Sequence, residues 1–361
     1  MANGQKESRM AEPRDNGGLR RLLGLGAGLW VARELWARQR EAELTGQVVL
    51  ITGGSRGLGL LLAREFARLG CQVAICARDE DELARAKAEL AGDGADVFTV
   101  VCDVSSRKAV LAMVEAVTDH YGRIDILVNN AGQIRVGPLE MMKLHDFKSA
   151  MNELYWGPVY AALDVLPQMR ERGYGRIVNI TSIGGKISAP HLLPYTSAKF
   201  AAVGFSQGLR TEVAKDGITV TTIVPGLMRT GSFLSAIFKG QHEQEFTWFS
   251  VLANLPILSM DAERAARQVV MATRRGEAER VLTLPALLVT RLHGLVPNLT
   301  SDVLALVNRV LPGPPKEETD AQRGVEIQDR IELPLFDAAT ALGQSAAQRY
   351  QYLDDDDNSD E

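Results

Sequence analysis

The sequence has few of the residues from which disulfide scaffolds and metal centres are built: three cysteines and five histidines in 361 residues. Cys71, Cys76 and Cys102 lie in apolar stretches without metal-ligand or disulfide spacing, so we expect small buried residues in a reducing compartment. Four of the histidines are scattered without HExxH-type spacing, and we therefore predict no metal site. These four are His120, His145, His242 and His293.

The chain also lacks an excess of positive charge and a long apolar run. Its net charge is −5, so we expect no nucleic-acid partner. The uncharged apolar run Leu22–Ala32 is shorter than the about 20 residues that a membrane-spanning helix needs. No small-residue cleavage site follows it, so we do not expect a removed signal peptide. A hydrophobic fraction of 46% is typical of a globular protein, which we expect to be cytoplasmic.

The predicted N-terminal region, residues 1–43, combines a polar start with an amphipathic segment. Residues 1–17 are polar and predicted to be disordered. Between residues 19 and 40, apolar side chains recur at helical spacing and arginines flank them at both ends. This pattern predicts a helix in peripheral contact with an anionic membrane surface. Packing of that helix on the protein itself is the alternative.

From residue 44 to residue 285 the chain alternates between short apolar segments and helical segments. Such alternation is typical of βαβ units in a parallel sheet, whose strands are buried on both faces. We therefore predict a single α/β domain with a Rossmann-type doubly wound parallel sheet in three α/β/α layers. The predicted strands are QVVLIT, CQVAICA, DVFTVVCDV, IDILVNNAG, GRIVNITS, GITVTTIVPG and RVLTLP.

The segments after Pro225 depart from this alternation. Residues 227–259 are rich in Phe, Trp and Met, and we predict helices and a lid there. We expect an apolar helical extension over residues 286–312. A polar, acidic and largely disordered tail is predicted over residues 313–361.

A glycine-rich loop joins the first predicted strand to the first predicted helix. In TGGSRGLG, residues Gly53, Gly57 and Gly59 allow a sharp turn and a close approach of a ligand to the backbone. The free N–H groups of the following helix suit a pyrophosphate. Because the loop follows a buried strand and opens a helix, it predicts a dinucleotide site rather than an ordinary turn.

The end of the second predicted strand indicates which dinucleotide binds. Folds that bind NAD place an acidic residue there for the ribose hydroxyls, whereas this chain has Arg78. A guanidinium suits a 2′-phosphate, and Arg56 in the glycine loop adds a second positive charge. We therefore favour NADP(H). The alternative is that Arg78 is an exposed charge paired with Asp79.

A tyrosine four residues before a lysine, in PYTSAK, is a candidate catalytic pair. On a helix, Tyr195 and Lys199 share a face. An ammonium beside a phenol lowers the phenol pKa toward neutral pH. Taken alone, the pair also fits an ordinary amphipathic surface, because short motifs are unspecific.

The glycine loop, NNAG and Tyr-x-x-x-Lys in this order make the chain closely resemble the short-chain dehydrogenase/reductase family over about residues 44–285. The resemblance implies interconversion of a carbonyl and an alcohol. It implies Tyr195 as acid/base, Ser182 as hydrogen-bond donor to the same oxygen, and Lys199 as their partner, which also holds the nicotinamide ribose. The residues implied to bind the cofactor are Gly53, Ser55, Arg56, Gly57, Leu58, Gly59, Arg78, Asp103, Val104, Asn130, Ala131, Gly132, Tyr195, Lys199, Pro225, Gly226 and Thr230.

One position departs from the family pattern. The family has an asparagine three residues before the glycine of MNELYWG, where this chain has Leu154, and Asn152 faces elsewhere on a helix. Either the Leu154 carbonyl holds the water of a proton relay, or the alignment slips by one turn. The intact Ser182, Tyr195 and Lys199 favour an active enzyme. A catalytically weak or inactive nucleotide-binding scaffold at a membrane surface is the alternative.

The sequence does not name the substrate. Aromatic and methionine side chains in the predicted lid either wall an apolar pocket, which favours a lipophilic substrate, or form the packed face of the lid helices. These side chains are Met228, Phe233, Phe238, Phe246, Trp248 and Phe249. His191 is either a second proton donor or a residue that shapes its loop. The family commonly forms dimers or tetramers, so we expect a homo-oligomer.

Overall fold

The computed structural model describes residues 41–317, 319–331 and 334–352. A parallel sheet of seven strands lies at its centre. The strands are β1 (Val48–Thr52), β2 (Gln72–Ala77), β3 (Val97–Val101), β4 (Ile126–Asn129), β6 (Gly175–Ile180), β7 (Ile218–Val224) and β11 (Glu279–Val281). Their order across the sheet is β11-β7-β6-β4-β1-β2-β3, so the winding reverses between β1 and β4. The predicted fold class is therefore confirmed.

Helices cover both faces of this sheet because each strand sends apolar side chains to both sides. In β1, Val49 and Ile51 join one hydrophobic cluster, and Val48 and Leu50 join the other. The first face is covered by α1 (Gly57–Arg68), α2 (Glu80–Gly92) and α9 (Ala262–Arg275). The second is covered by α3 (Arg107–Tyr121), α5 (Gly157–Arg172) and α6 (Leu193–Val213). Between α4 (Leu144–Met151) and α5, one helical stretch, Asn152–Trp156, is wound as a π-helix.

The three cysteines are free thiols. Cys76 lies in β2 and Cys102 directly follows β3, and both are buried. Cys71 is half-buried. The structure therefore agrees with the expected core role for two of the three.

A smaller layer lies over the carboxyl ends of the strands. It contains a parallel pair, β8 and β10, and a three-stranded sheet of β5, β9 and β12. Its elements are β5 (Arg135–Val136), β8 (Leu227–Arg229), α7 (Ser232–Ser235), β9 (Ile237–Phe238), α8 (His242–Asn254), β10 (Ser259–Asp261), β12 (Gln322–Arg323), α12 (Gly324–Gln328) and α13 (Pro334–Arg349). The helices predicted for residues 227–259 are therefore present as α7 and α8.

The region after residue 313 differs from the largely disordered tail expected from its polar composition. Residues 322–349 contain β12, α12 and α13, and α13 packs against α8. Ile327, Phe336 and Ala347 are buried in one cluster with Phe233 and Phe246. A few apolar side chains thus order a segment whose overall composition is polar.

The apolar extension forms two helices, α10 (Leu284–Leu295) and α11 (Pro297–Asn308), which contact each other. Large apolar side chains on both remain exposed, including Leu295 at 80% and Leu306 at 61%. Across the described ranges, we find no helix that is both long and apolar enough to cross a membrane. The helix predicted within residues 19–40 lies outside the described residues.

Candidate active site

The glycine loop after β1 needs the glycines that the sequence places there. Gly53 and Gly57 have φ angles of 66° and 56°, a region that side chains disfavour. At Gly59, a Cβ atom would lie 1.9 Å from the Gly53 carbonyl oxygen. The loop can therefore fold back on itself only with glycine at that position.

The loop after β4 is fastened to the glycine loop. The Asn130 side-chain amide donates hydrogen bonds to the carbonyl oxygens of Thr52 (3.1 Å) and Gly53 (2.9 Å). The backbone N–H groups of Asn130 and Ala131 donate to the Thr52 hydroxyl oxygen. Both loops follow neighbouring strands at the point where the winding reverses, which is where open α/β sheets bind their ligands. The predicted cofactor residues are thus brought together by the sheet.

The two basic residues predicted to bind a 2′-phosphate lie in different environments. Arg78 is exposed and makes no ion pair within the described part of the chain, while Asp79 accepts a hydrogen bond from the Glu82 N–H as the N-cap of α2. Arg56 forms an ion pair with Glu82 at 2.8 Å. Ser55 also donates a hydrogen bond to Glu82, at 2.8 Å. Glu82, which the sequence did not predict as a site residue, thus binds two of the side chains that were predicted to bind the anionic cofactor.

The other predicted cofactor residues lie at the same edge of the sheet. Leu58 is buried in the first turn of α1. The Asp103 carboxylate accepts hydrogen bonds from the N–H and hydroxyl of Ser105, and Val104 is buried. At Gly132, a Cβ atom would lie 2.4 Å from the Leu154 side chain.

The loop after β7 is joined to the loop after β6. The Pro225 carbonyl oxygen accepts a hydrogen bond from the Ile183 N–H at 2.7 Å. At Gly226, a Cβ atom would lie 2.4 Å from the Thr283 hydroxyl oxygen, so glycine is required there. Thr230 is buried. These residues therefore lie beside Ser182, which starts the loop after β6.

The three predicted catalytic residues converge. The Ser182 hydroxyl and the Tyr195 ring flank Gly184, where a Cβ atom would lie 3.4 Å from the Ser182 oxygen and 3.2 Å from the ring. The Ser182 oxygen accepts a hydrogen bond from the Gly184 N–H at 3.0 Å. The Lys199 ammonium lies 5.8 Å from the centroid of the Tyr195 ring. It donates a hydrogen bond to the Ile180 carbonyl oxygen at 2.9 Å, which holds it against the end of β6.

The electrostatics differ from the expected lowering of the tyrosine pKa by lysine. Burial raises the pKa of Tyr195, and the hydrogen bond from Ser182 opposes that shift. Burial also lowers the pKa of Lys199 to about 8, against an opposing effect of the Glu153 charge. Desolvation is therefore the main cause of both pKa shifts.

Glu153 is a site residue that the sequence reasoning missed. It lies in the π-helical stretch, and its carboxylate is 3.6 Å from the guanidinium of the buried Arg135. Burial raises the pKa of Glu153, while Arg135, Arg78 and Lys199 act in the opposite direction. The only sequence signal is an acidic residue inside an otherwise apolar helix beside the position of Leu154.

Leu154 packs against the candidate acid/base. It is 1% exposed and belongs to a small apolar cluster with Met151, Ala198 and the Tyr195 side chain. The π-helical winding places Leu154, and not Asn152, toward Tyr195. The departure from the family pattern thus lies next to the candidate catalytic tyrosine.

His191 is held in place by contacts with α8. Its Nδ1 atom lies 2.8 Å from a carboxylate oxygen of Glu245, and the Trp248 indole N–H donates to the other oxygen at 2.7 Å. His191 also has a positive φ of 60°, and its carbonyl oxygen accepts a hydrogen bond from Gly137. These contacts favour a role in shaping the loop over one as a proton donor.

Four phenylalanines that were predicted as possible pocket walls instead form the core of the smaller layer. Each is at most 6% exposed, and all four belong to one cluster. They are Phe233, Phe238, Phe246 and Phe249. A groove of about 760 Å³ lies elsewhere, lined mostly by α8 together with Leu311, Arg330 and Ile331, and by none of the three candidate catalytic residues. Of the described residues, no three His, Cys, Asp or Glu side chains form a group that could hold a metal.

Comparisons with known proteins agree with this geometry. Residues 47–237 match the family model described as short chain dehydrogenase. The chain is 38% identical over 185 residues to a granaticin polyketide synthase putative ketoacyl reductase from Streptomyces violaceoruber, covering 51% of this chain and 68% of the relative.

Two solved structures are also similar. A short-chain dehydrogenase from Streptomyces avermitilis has a TM-score of 0.64 at 29% identity, covering 73% of this chain and 98% of that one. The L-sorbose reductase from Gluconobacter frateurii, complexed with NADPH and L-sorbose, has a TM-score of 0.60 at 30% identity, covering 67% and 96%. The chain therefore belongs to the short-chain dehydrogenase/reductase family of oxidoreductases.

Proposed function

We propose that the protein is an NADP(H)-dependent oxidoreductase that interconverts a carbonyl and an alcohol on a lipophilic substrate. The observation that carries the proposal is that Ser182 and Tyr195 flank the same residue, Gly184, with Lys199 one helical turn beyond Tyr195, beside a glycine loop. A bound nicotinamide would supply or accept the hydride. Tyr195 donates a proton to the carbonyl oxygen as negative charge develops there, and Ser182 donates a hydrogen bond to the same oxygen.

The apolar surroundings of Tyr195 support a lipophilic substrate. Met151, Leu154 and Ala198 pack around the tyrosine, so few polar groups are available to bind a hydrophilic substrate there. The same Leu154 also favours the second candidate, a catalytically weak nucleotide-binding scaffold, because leucine offers no side-chain hydrogen bond to a proton relay.

A homo-oligomer remains our expectation for the assembly. Exposed apolar side chains on the π-helical stretch, α5 and α6 support it: Trp156 (41%), Leu163 (53%) and Phe200 (43%).

Tyr195→Phe tests the proposed chemistry. We expect loss of turnover with NADPH binding nearly unchanged, because the phenol supplies the proton but not the main cofactor contacts. Turnover of long-chain ketones, keto-acyl thioesters and steroids would be followed by NADPH oxidation, and binding by nicotinamide fluorescence. Tyr160→Phe, on α5, where the tyrosine ring stacks on Trp156, is the control. Substantial turnover by the Tyr195 variant would contradict the assignment.

The cofactor preference is tested at Arg78 and Glu82. Arg78→Ala should weaken NADPH binding by one to two decades and leave NADH binding nearly unchanged, because a charge-assisted phosphate contact contributes about 1.5–3 kcal/mol. Glu82→Gln should strengthen NADPH binding selectively, because it releases Arg56 and Ser55 from a competing carboxylate. Lys87→Ala, at an exposed position of α2, is the control. Equal losses of both cofactors in the Arg78 variant would make Arg78 a general surface charge.

Glu153→Gln tests the electrostatics of the site. The Glu153 charge raises the pKa of Lys199, which burial lowers to about 8. Its removal should lower that pKa further, so the ammonium is lost at lower pH and the alkaline limb of the kcat/KM profile moves to lower pH. Glu171→Gln, exposed on α5, should leave the profile in place. An unmoved alkaline limb in the Glu153 variant would show that Lys199 does not govern it.

We also propose peripheral membrane association through residues 19–40. The arginine-flanked apolar pattern of that segment supports it, and so does the exposed apolar surface of α10 and α11. Deletion of residues 1–40 should abolish sedimentation with anionic liposomes, while Leu295→Glu in the full chain should reduce it. If the full chain also stays in the supernatant, the segment packs on the protein and the membrane proposal fails.

A further inference from the structure

The last described residues of the chain lie against the glycine loop that follows β1. Helix α13 ends at Arg349, and the next three residues turn back toward α1, with Gln351 in the left-handed region at φ 61°. The Tyr350 side chain is 3% exposed and packs in the hydrophobic cluster to which α1 and α9 contribute. This short segment, residues 350–352, is called the C-terminal segment below.

The backbone of this segment accepts a hydrogen bond from the glycine loop. The Gly57 N–H, at the start of α1, donates to the Tyr350 carbonyl oxygen at 3.0 Å. An N–H group at this end of a helix is the kind of donor that binds a phosphate oxygen. While it donates to Tyr350, it is not available to a pyrophosphate.

The side chain of Tyr352 fills the space above the same glycine. A Cβ atom at Gly57 would lie 2.5 Å from the Tyr352 hydroxyl oxygen, so the open face that glycine leaves is covered by the tyrosine. The hydroxyl lies near the Thr230 side chain, and the ring covers the neighbouring Gly231, where a Cβ atom would lie 2.8 Å from it. The guanidinium of Arg56 lies 5.1 Å from the ring centroid. Arg56, Gly57 and Thr230 were all predicted from the sequence to bind the cofactor.

We infer that the C-terminal segment competes with the dinucleotide for this site, so that the structure is a self-occupied state in which cofactor binding requires release of residues 350–352. The inference rests on the proposed function, because it takes the glycine loop to be the cofactor site. The contacts at Gly57 and Thr230 cannot be made by the segment and by a cofactor at the same time. Only molecules in which the loop is free can bind the dinucleotide. The apparent dissociation constant is therefore the intrinsic constant divided by the fraction of such molecules.

The way the segment is attached suits a reversible competitor. Its base is fixed, because Arg349 pairs with Glu263 of α9 at 2.9 Å and Ala347 is buried against the lid. The contacts beyond that base are a few hydrogen bonds and two rings, those of Tyr350 and Tyr352. The segment can therefore leave the loop while α13 stays in place, and it returns at a high effective concentration.

Dinucleotide affinity in matched variants of the full chain tests the inference. Tyr352→Ala and a chain ending at Arg349 should each bind both NADPH and NADH at least tenfold more tightly than the parent, measured by nicotinamide fluorescence. Both cofactors should gain, because the pyrophosphate and the nicotinamide, to which Gly57 and Thr230 are predicted to bind, are common to NADPH and NADH. Leu342→Ala, exposed at 52% on α13, should change nothing. Thermal unfolding of each variant checks that the fold is kept.

Hydrogen exchange gives a second measurement that needs no substrate. Adding NADPH to the parent protein should speed the exchange of amides in residues 347–352. Equal affinities in parent and variants would overturn the inference and leave the proposed function standing. Weaker binding in the variants, or slower exchange with NADPH, would show that the segment covers bound cofactor and would also overturn it. Absence of dinucleotide binding in every form would overturn the proposed function as well.

Discussion

A row of buried hydrogen bonds across three strands holds the candidate catalytic helix against the sheet. The Asn129 amide donates to the Asn179 side-chain oxygen at 2.8 Å, and the Asn179 amide donates to the Ser206 hydroxyl at 2.9 Å. Ser206 lies on α6 and shares a 2.7 Å hydrogen bond with Thr222 of β7. All four residues are almost fully buried. Leaving one of these groups unpaired would cost about 1–3 kcal/mol, so the row specifies one position of α6.

The same row joins the two halves of the candidate site. Asn129 ends β4 and leads directly into the loop that fastens the glycine loop, and Asn179 lies three residues before Ser182. Ser206 fixes the helix that carries Tyr195 and Lys199. The glycine loop and the candidate acid/base Tyr195 are therefore positioned by one continuous set of polar contacts, and the apolar layers on either side keep water from it.

The fold and the three candidate catalytic residues could be predicted from sequence because their signals are local: buried β-branched strands, a glycine loop at a strand end, and a pair at helical spacing. Glu82 and Glu153 gave no such signal, since an acidic residue in a helix is ordinarily solvated, and only tertiary structure turns these two toward Arg56 and Arg135. The elements β12, α12 and α13 were missed for a related reason. Its stabilising contacts join distant parts of the chain, which composition does not report.

The contact between Gly57 and Tyr350 also imposes an order of events during synthesis. A ribosome that adds ~5–20 residues per second completes six of the seven strands of the central sheet and the loop at Thr230 roughly ten seconds before it adds Tyr352. During that interval the nascent chain presents its glycine loop without its own C-terminus. A dinucleotide in the surrounding solution therefore meets the newly made loop before the intramolecular competitor exists, and the first occupant of a fresh molecule depends on the cofactor concentration where it is translated.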